Sequence, residues 1–200
     1  MVLSTPTLNL PDYVPLNAVI SAGYTGTAPV SYFQWTFTPV TSIPASSPAG
    51  NRILTAGAAP AASFNTPSAT ANLSSVVLGL GPYLITLRAY DTNNTPSGPA
   101  QEYVTMVAAD LAGVRVYPNP WRSDKHSGRP LITFDNLTVN STIKIFTVSG
   151  HLVKTLPMAS NSVTWDLTNE SGDKVASGTY IYLIKDDQGQ KKTGKVAVIK

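Results

Sequence analysis

Apolar residues recur at every second position along most of this chain, and period-two alternation is the mark of half-buried β-strands. In "PVSYFQWTF", Phe33, Trp35 and Phe37 share one face and Tyr32, Gln34 and Thr36 the other. "GPYLITLRAYD" aligns Tyr83, Ile85, Leu87 and Ala89, and "QEYVTMVAAD" alternates Val104, Met106 and Ala108 with Tyr103, Thr105 and Val107. Between them, residues 41–75 are too rich in Pro, Ala and Ser for a long regular element. They read as loops and short edge strands, the places that accept proline. Amphipathic helical periodicity is hard to find anywhere.

The second half alternates more cleanly. Ile132 and Phe134 alternate in "PLITFDNL", and Val163, Trp165 and Leu167 point inward in "SVTWDL". "STIKIFTV" and "HLVKTL" are strands joined at Ser149-Gly150, read as a two-residue hairpin turn. "GTYIYLIK" and "KTGKVAVIK" flank "DDQGQ", where Gly189 supplies the positive φ of a short hairpin. Short strands with turn signals about every 8 to 12 residues predict a β-sandwich. The whole chain is therefore expected to be all-β, with two tandem Ig-like sandwiches at residues 1–111 and 112–200.

"VRVYPNPWR" opens the second sandwich. Pro118 and Pro120 have no N–H to donate to a ladder, and Asn119 is barred from helical geometry by the proline after it. The chain must leave a sheet edge there and cross over, placing Trp121 over one end of the core.

Composition narrows the function classes. Charged residues make up 12% of the 200, against roughly 25% in an average domain. Cysteine is absent, which removes disulfides, thiolate metal sites and cysteine nucleophiles. Residues 1–113 carry two basic and four acidic side chains, and residues 114–200 carry twelve and seven. The lysines of the second half are spread over strands and turns, without the clustered basic stripe and aromatics that nucleic acid requires. No segment has the roughly 18 apolar residues of a membrane helix, so neither nucleic acid nor membrane insertion is expected. The first residues lack the features of a signal peptide. The chain is expected to be the C-terminal piece of a longer exported protein.

Candidate chemistry is sparse. Nucleophilic catalysis needs a base held by an acid, and the only histidines, His126 in the polar "SDKHSG" and His151 after a turn, read as solvated. The acids stand mostly in turns, without the facing pair of a glycosidase. Asp91, Asn93 and Asn94 have the alternating oxygens of a calcium loop, but a turn whose side chains bind its own backbone explains them equally. Trp35 and Trp165 read as core, leaving Tyr32, Tyr180 and Tyr182 as platforms for stacking on sugars. No enzyme activity, cofactor or metal is expected.

"VYPNPW", "ITFDNLTVNSTIKIFTVSGHLVKTL", "VTWDLTNESGDKVASGTYIYLIK" and the terminal "GKVAVIK" together resemble the C-terminal sorting domain of type IX secretion substrates. The Ig-like domain of the flagellar hook-capping protein is similar in pattern. Pro118, Asn119 and Pro120 match the family's opening motif. Ile145, Phe146, Gly150 and Val153 match its middle segment, Gly178, Tyr180 and Tyr182 its glycine-x-tyrosine strand, and Lys195, Val196 and Lys200 its basic terminal strand. Two positions depart from the pattern: the family usually has an acidic or amide residue where Thr147 stands, and arginine or lysine where His151 stands. The resemblance implies a bacterial cell-surface protein whose terminal sandwich is a non-enzymatic tag. Its partners would be outer-membrane export and attachment machinery, met through strand edges and the charged tail. The first half resembles PKD-like and other Ig-like repeats loosely, without their acidic glycine loop, and reads as a spacer. Two alternatives remain open: a carbohydrate or adhesion module on the first sandwich, and a filament or surface-layer subunit that self-associates through strand edges.

Overall fold

Alternating segments become strands throughout. A computed structural model describes residues 2–44, 52–53 and 59–200. The chain separates into two compact units, Met1–Val107 and Ala108–Lys200.

The first unit contains β1 (Tyr13–Pro15), β2 (Val19–Ser21), β3 (Tyr32–Pro39), β4 (Ser42–Ile43), β5 (Arg52–Ile53), β6 (Ala62–Thr66), β7 (Thr70–Asn72), β8 (Gly81–Tyr90) and β9 (Ala100–Val107). Among the described residues the main sheet runs β1-β9-β8-β3-β6, with β2–β7 and β4–β5 as separate pairs. The inward row Phe33, Trp35 and Phe37 meets Tyr83, Ile85, Leu87, Val104 and Met106 in one core. Trp35 keeps its indole N–H satisfied by donating to Thr66 Oγ1 at 3.0 Å. β9 departs from simple alternation, since Thr105 and Val107 are buried along with Val104 and Met106. The Pro- and Ala-rich stretch expected to hold short edge strands contains β4 to β7; residues 45–51 and 54–58 of it lie outside the described residues.

The second unit contains β10 (Arg115–Tyr117), β11 (Trp121–Arg122), the one-turn helix α1 (Ser123–His126), β12 (Ile132–Thr147), β13 (Leu152–Trp165), β14 (Gly178–Lys185) and β15 (Lys191–Ile199). β12 and β13 form one long hairpin that serves both layers of a sandwich. The first part of β12 lies between β10 and the end of β13, and its second part between β14 and the start of β13. The hairpin bends where its register shifts, between Asp135 and Ser141. Asn136 (φ 59°) and Asn140 (φ 54°) stand there, with Asn161 (φ 74°) opposite. Asparagine is one of the few side chains that enters left-handed backbone routinely. Trp165 is fully buried between the layers, edge-on to Tyr180 at 5.4 Å, and its N–H donates to the Thr168 carbonyl at 2.8 Å.

One turn recurs at four places. Residue i donates its N–H to the carbonyl of i+4, and its own carbonyl accepts from i+3, which has positive φ. Its side chain then accepts from the N–H of i+4. Thr147–His151, Asn169–Asp173, Asp186–Gln190 and Asp91–Thr95 all have this form. Gly150 (φ 86°), Gly172 (φ 88°), Gly189 (φ 82°) and Asn94 (φ 59°) take the left-handed position. This is the three-residue hairpin loop with a glycine bulge. It corrects the two-residue reading at Ser149-Gly150, because the closing pair is Thr147 with His151 and the loop includes Val148. Thr147, where the family has an acid or amide, fills the same role through its hydroxyl, 3.1 Å from the His151 N–H.

Trp165→Ala removes the largest fully buried side chain of the second core. It is expected to destabilise that unit by about 3–5 kcal/mol, seen as a lower urea midpoint for the second unit. An unchanged midpoint would show that Trp165 does not support the core.

Candidate functional site

The two prolines leave a gap in a ladder, and the asparagine between them fills it. After β10, paired antiparallel with β12, the chain turns through Pro118-Asn119-Pro120, with both prolyl peptides cis. It re-enters the structure as β11, parallel to β15 with Trp121 opposite Val198. Between the prolines, the Asn119 carboxamide Nδ2 donates to the Lys195 carbonyl at 2.9 Å, and its Oδ1 accepts from the Ala197 N–H at 3.1 Å. A residue in a parallel ladder makes this same pair of bonds with its backbone, on either side of its partner. Asn119 therefore extends the β11–β15 ladder by one step, opposite Val196. The outer edge of β15 is thereby occupied from Lys195 to Ile199. Over this stretch the backbone groups that a receptor strand would pair with are already bonded, while among the described residues no strand lies along the outer edge of Lys191–Gly194.

Trp121 is buried as expected. Its ring lies 6.3 Å from His126. "SDKH" is helical, and His126 is half-buried with Nδ1 accepting from the Arg122 N–H at 2.9 Å. That is a correction to its reading as a solvated loop residue: the ring caps the turn that carries Trp121.

The remaining motif residues gather at the same end of this sheet. Thr147 pairs with Tyr180, which pairs with Val196, the residue that Asn119 spans. Gly178 lies opposite Val198, and Gly150 completes the turn that starts at Thr147. Val196 and Val198 are buried, whereas the side chains of Lys195 and Lys200 are exposed. The backbone N–H of Lys200 donates to Ser177 Oγ at 2.9 Å.

Tyr180 and Tyr182 are core residues, which corrects their reading as sugar platforms. Tyr180 packs on Trp165 and donates to the Ala176 carbonyl at 2.8 Å, and Tyr182 packs on Phe134 at 5.3 Å. Burial pushes both phenol pKa values up. Tyr32 lies flat against Tyr90 at 4.8 Å. In the Asp91 loop, one carboxylate oxygen takes the N–H groups of Asn93 and Thr95, both at 2.8 Å. Loop closure is thus what Asp91, Asn93 and Asn94 do here. Among the described residues no group of His, Asp and Glu is placed to hold a metal ion.

Residues 115–200 match the family described as the secretion system C-terminal sorting domain. Among solved structures, the chain is similar to PorZ, an essential bacterial surface component of the type-IX secretion system of Porphyromonas gingivalis. The identity is 25% and the TM-score 0.42, covering 57% of this chain and 15% of that one. It is also similar to dimeric latent PorU from Porphyromonas gingivalis, with 18% identity and a TM-score of 0.33, over 96% of this chain and 19% of that one. A third similarity is to the BSP domain of a biofilm associated protein, with 13% identity and a TM-score of 0.32, over 94% of this chain and 28% of that one. The chain thus spans less than a third of the length of each of these three proteins. No curated protein matches it.

Asn119→Ala leaves the Lys195 carbonyl and the Ala197 N–H without their partner. Two hydrogen bonds at roughly 0.5–1.5 kcal/mol each, at an exposed corner, make the expected loss about 1–2 kcal/mol in urea unfolding of the second unit. Equal stability of the variant would show that the corner does not hold the last strand. Its opening corner, glycine-bulge turn and basic last strand, assembled at one end of a sheet, all fall within residues 115–200, the stretch that matches the secretion system C-terminal sorting domain.

Proposed function

We propose that this chain is an Ig-like spacer followed by a sorting domain that directs an attached passenger through outer-membrane export machinery to the bacterial cell surface. The observation that carries this reading is the family match over residues 115–200, together with a corner that fixes the last strand to the first. The spacer role of the first unit is supported by its closed sandwich core and by loops whose polar groups serve their own turns. In this reading the machinery recognises side chains at the tail, because the edge of the terminal strand is filled from Lys195 to Ile199. Pro118, Asn119, Pro120, Gly150, Gly178 and Tyr180 build the frame, and Lys195 and Lys200 project from it.

Each unit has its own hydrophobic core, and both are expected to fold alone. Leu111 is buried in the second core, and the Ala109 carbonyl and Leu111 N–H bond to the Gln190 side chain. The second fragment should therefore begin at residue 108. Fragments 1–107 and 108–200 are each expected to melt cooperatively with β-type circular dichroism. Two unfolded fragments would contradict independent domains.

Delivery is tested with residues 1–200 fused behind a signal peptide and a reporter, in a host with type IX secretion. The intact chain is expected to bring the reporter to the surface. Deleting residues 195–200 removes the buried Val196 and Val198 and would confound recognition with folding. The informative variant is Lys195→Ala with Lys200→Ala, which changes only exposed side chains. It should keep the melting temperature and lower surface delivery. A reporter that stays periplasmic with the intact chain would contradict the sorting role.

A further inference from the structure

The solvent face of an antiparallel sheet is ordinarily polar, and the outer face of β12–β14–β15 carries a row of apolar side chains among its threonines and lysines. Ile143, Ile145, Tyr182, Ile184, Val196 and Val198 point into the core. The alternate positions on these strands face solvent, and an apolar row crosses them. Leu152 pairs with Phe146, Phe146 with Ile181 and Ile181 with Lys195, so these four stand side by side on one face. Leu183 continues the stripe next to Ile181, and Ile199 ends it on β15. Leu152 and Ile199 are 49% and 47% exposed, and Phe146, Ile181 and Leu183 are half-buried. Met158, which is 66% exposed, lines a depression of about 370 Å³ on the same face, with Lys144, Leu183, Lys185, Asp186 and Asp187.

Lysines surround the stripe. Lys144, Lys185, Lys191 and Lys195 occupy outward positions on these strands. Among the described residues none of the four has an ion-pair partner. No acidic side chain stands at an outward position on β14 or β15. Asp187, just past the end of β14, is the exposed acid beside this rim, and its carboxylate accepts from Asn140 Nδ2 at 2.9 Å. An apolar patch rimmed mainly by charge of one sign is a feature of interaction sites.

We propose that this face docks an acidic protein surface of the export machinery, apolar at its centre and rimmed with carboxylates. The inference rests on the sorting role proposed above and names the surface through which that role is exercised. Charge complementarity sets the sign of the rim, since unpaired lysines attract carboxylates and repel basic partners. The shape selects protein over lipid. The apolar side chains lie half-sunk in a sheet instead of projecting from a loop, so they cannot reach into acyl chains but can pack on a flat partner. Lys195 belongs to the face, which links it to the tail motif.

The test uses residues 1–200 behind a signal peptide and reporter in a host with type IX secretion, with surface display as the readout. One variant carries Lys144→Glu, Lys185→Glu and Lys191→Glu, and a second carries Leu152→Ser with Met158→Ser. A control carries Lys125→Glu and Arg129→Glu, which lie off this face. All these side chains are solvent-exposed, and circular dichroism melting of each purified chain verifies folding. The intact chain and the control should deliver equally, and both face variants should fall by about tenfold at unchanged melting temperature, the scale of like-charge mismatch in an interface. Lys→Arg at the same three positions should restore delivery. If folded face variants deliver like the intact chain, the docking face is wrong while the sorting role stands. If the intact chain fails to deliver, both are wrong. Sedimentation with phosphatidylglycerol vesicles, lost in the lysine variant, would overturn the protein partner in favour of an anionic lipid surface.

Discussion

One carboxamide holds the last strand of the C-terminal unit to its first corner. The Asn119 side chain bonds to the carbonyl of Lys195 and the N–H of Ala197, where two flanking prolines leave no backbone donors. Because of it, the ladder from β11 continues along β15, Val196 and Val198 stay in the core, and Lys195 and Lys200 on either side of them face out. Loosening this contact would free a strand edge, and free edges pair with other chains. In the proposed sorting role, a tag gains from having the end of its terminal strand fixed on both sides. What it offers is then a pattern of side chains on a rigid sheet.

The rest of the second unit serves the same rigidity. The bent β12–β13 hairpin carries both layers, so the two sheets share covalent strands and not only a packed core. Three of its connections use one turn, closed by a side-chain oxygen at the first position and a left-handed glycine at the fourth. The Asp91 loop of the first unit repeats that design with Asn94 in place of glycine. Thr147 meets the same demand with a hydroxyl, so its departure from the family's usual acid or amide preserves the hydrogen bond and alters only the charge.

Strand positions and much of the core were legible in the sequence, since alternation alone placed Phe33, Trp35, Phe37, Ile132, Phe134 and Trp165. The motif residues were legible through their order along the chain. Three features were not. In "TYIYLIK" every residue from Tyr180 to Ile184 is apolar or aromatic, so alternation could not say which set faces the core. The structure puts the tyrosines and Ile184 inside and leaves Ile181 and Leu183 on the outer face. The bend of the long hairpin depends on asparagines that read as ordinary polar positions until their φ angles are seen. The role of Asn119 was hidden because the sequence shows what prolines forbid, whereas the groups its carboxamide reaches lie more than seventy residues away.

The central claim is that recognition meets a locked terminal strand, in contrast to a loose one donated to a partner. Native-state hydrogen exchange at the Ala197 amide, followed by NMR in the intact chain, tests this most directly. That N–H points away from β14 and depends on Asn119 alone for its bond. The account predicts that it exchanges as slowly as amides bonded between β14 and β15, through opening of the unit as a whole. Exchange at the rate of an open edge, with the β14–β15 amides still protected, would contradict it and return the terminal strand to the role of a free edge.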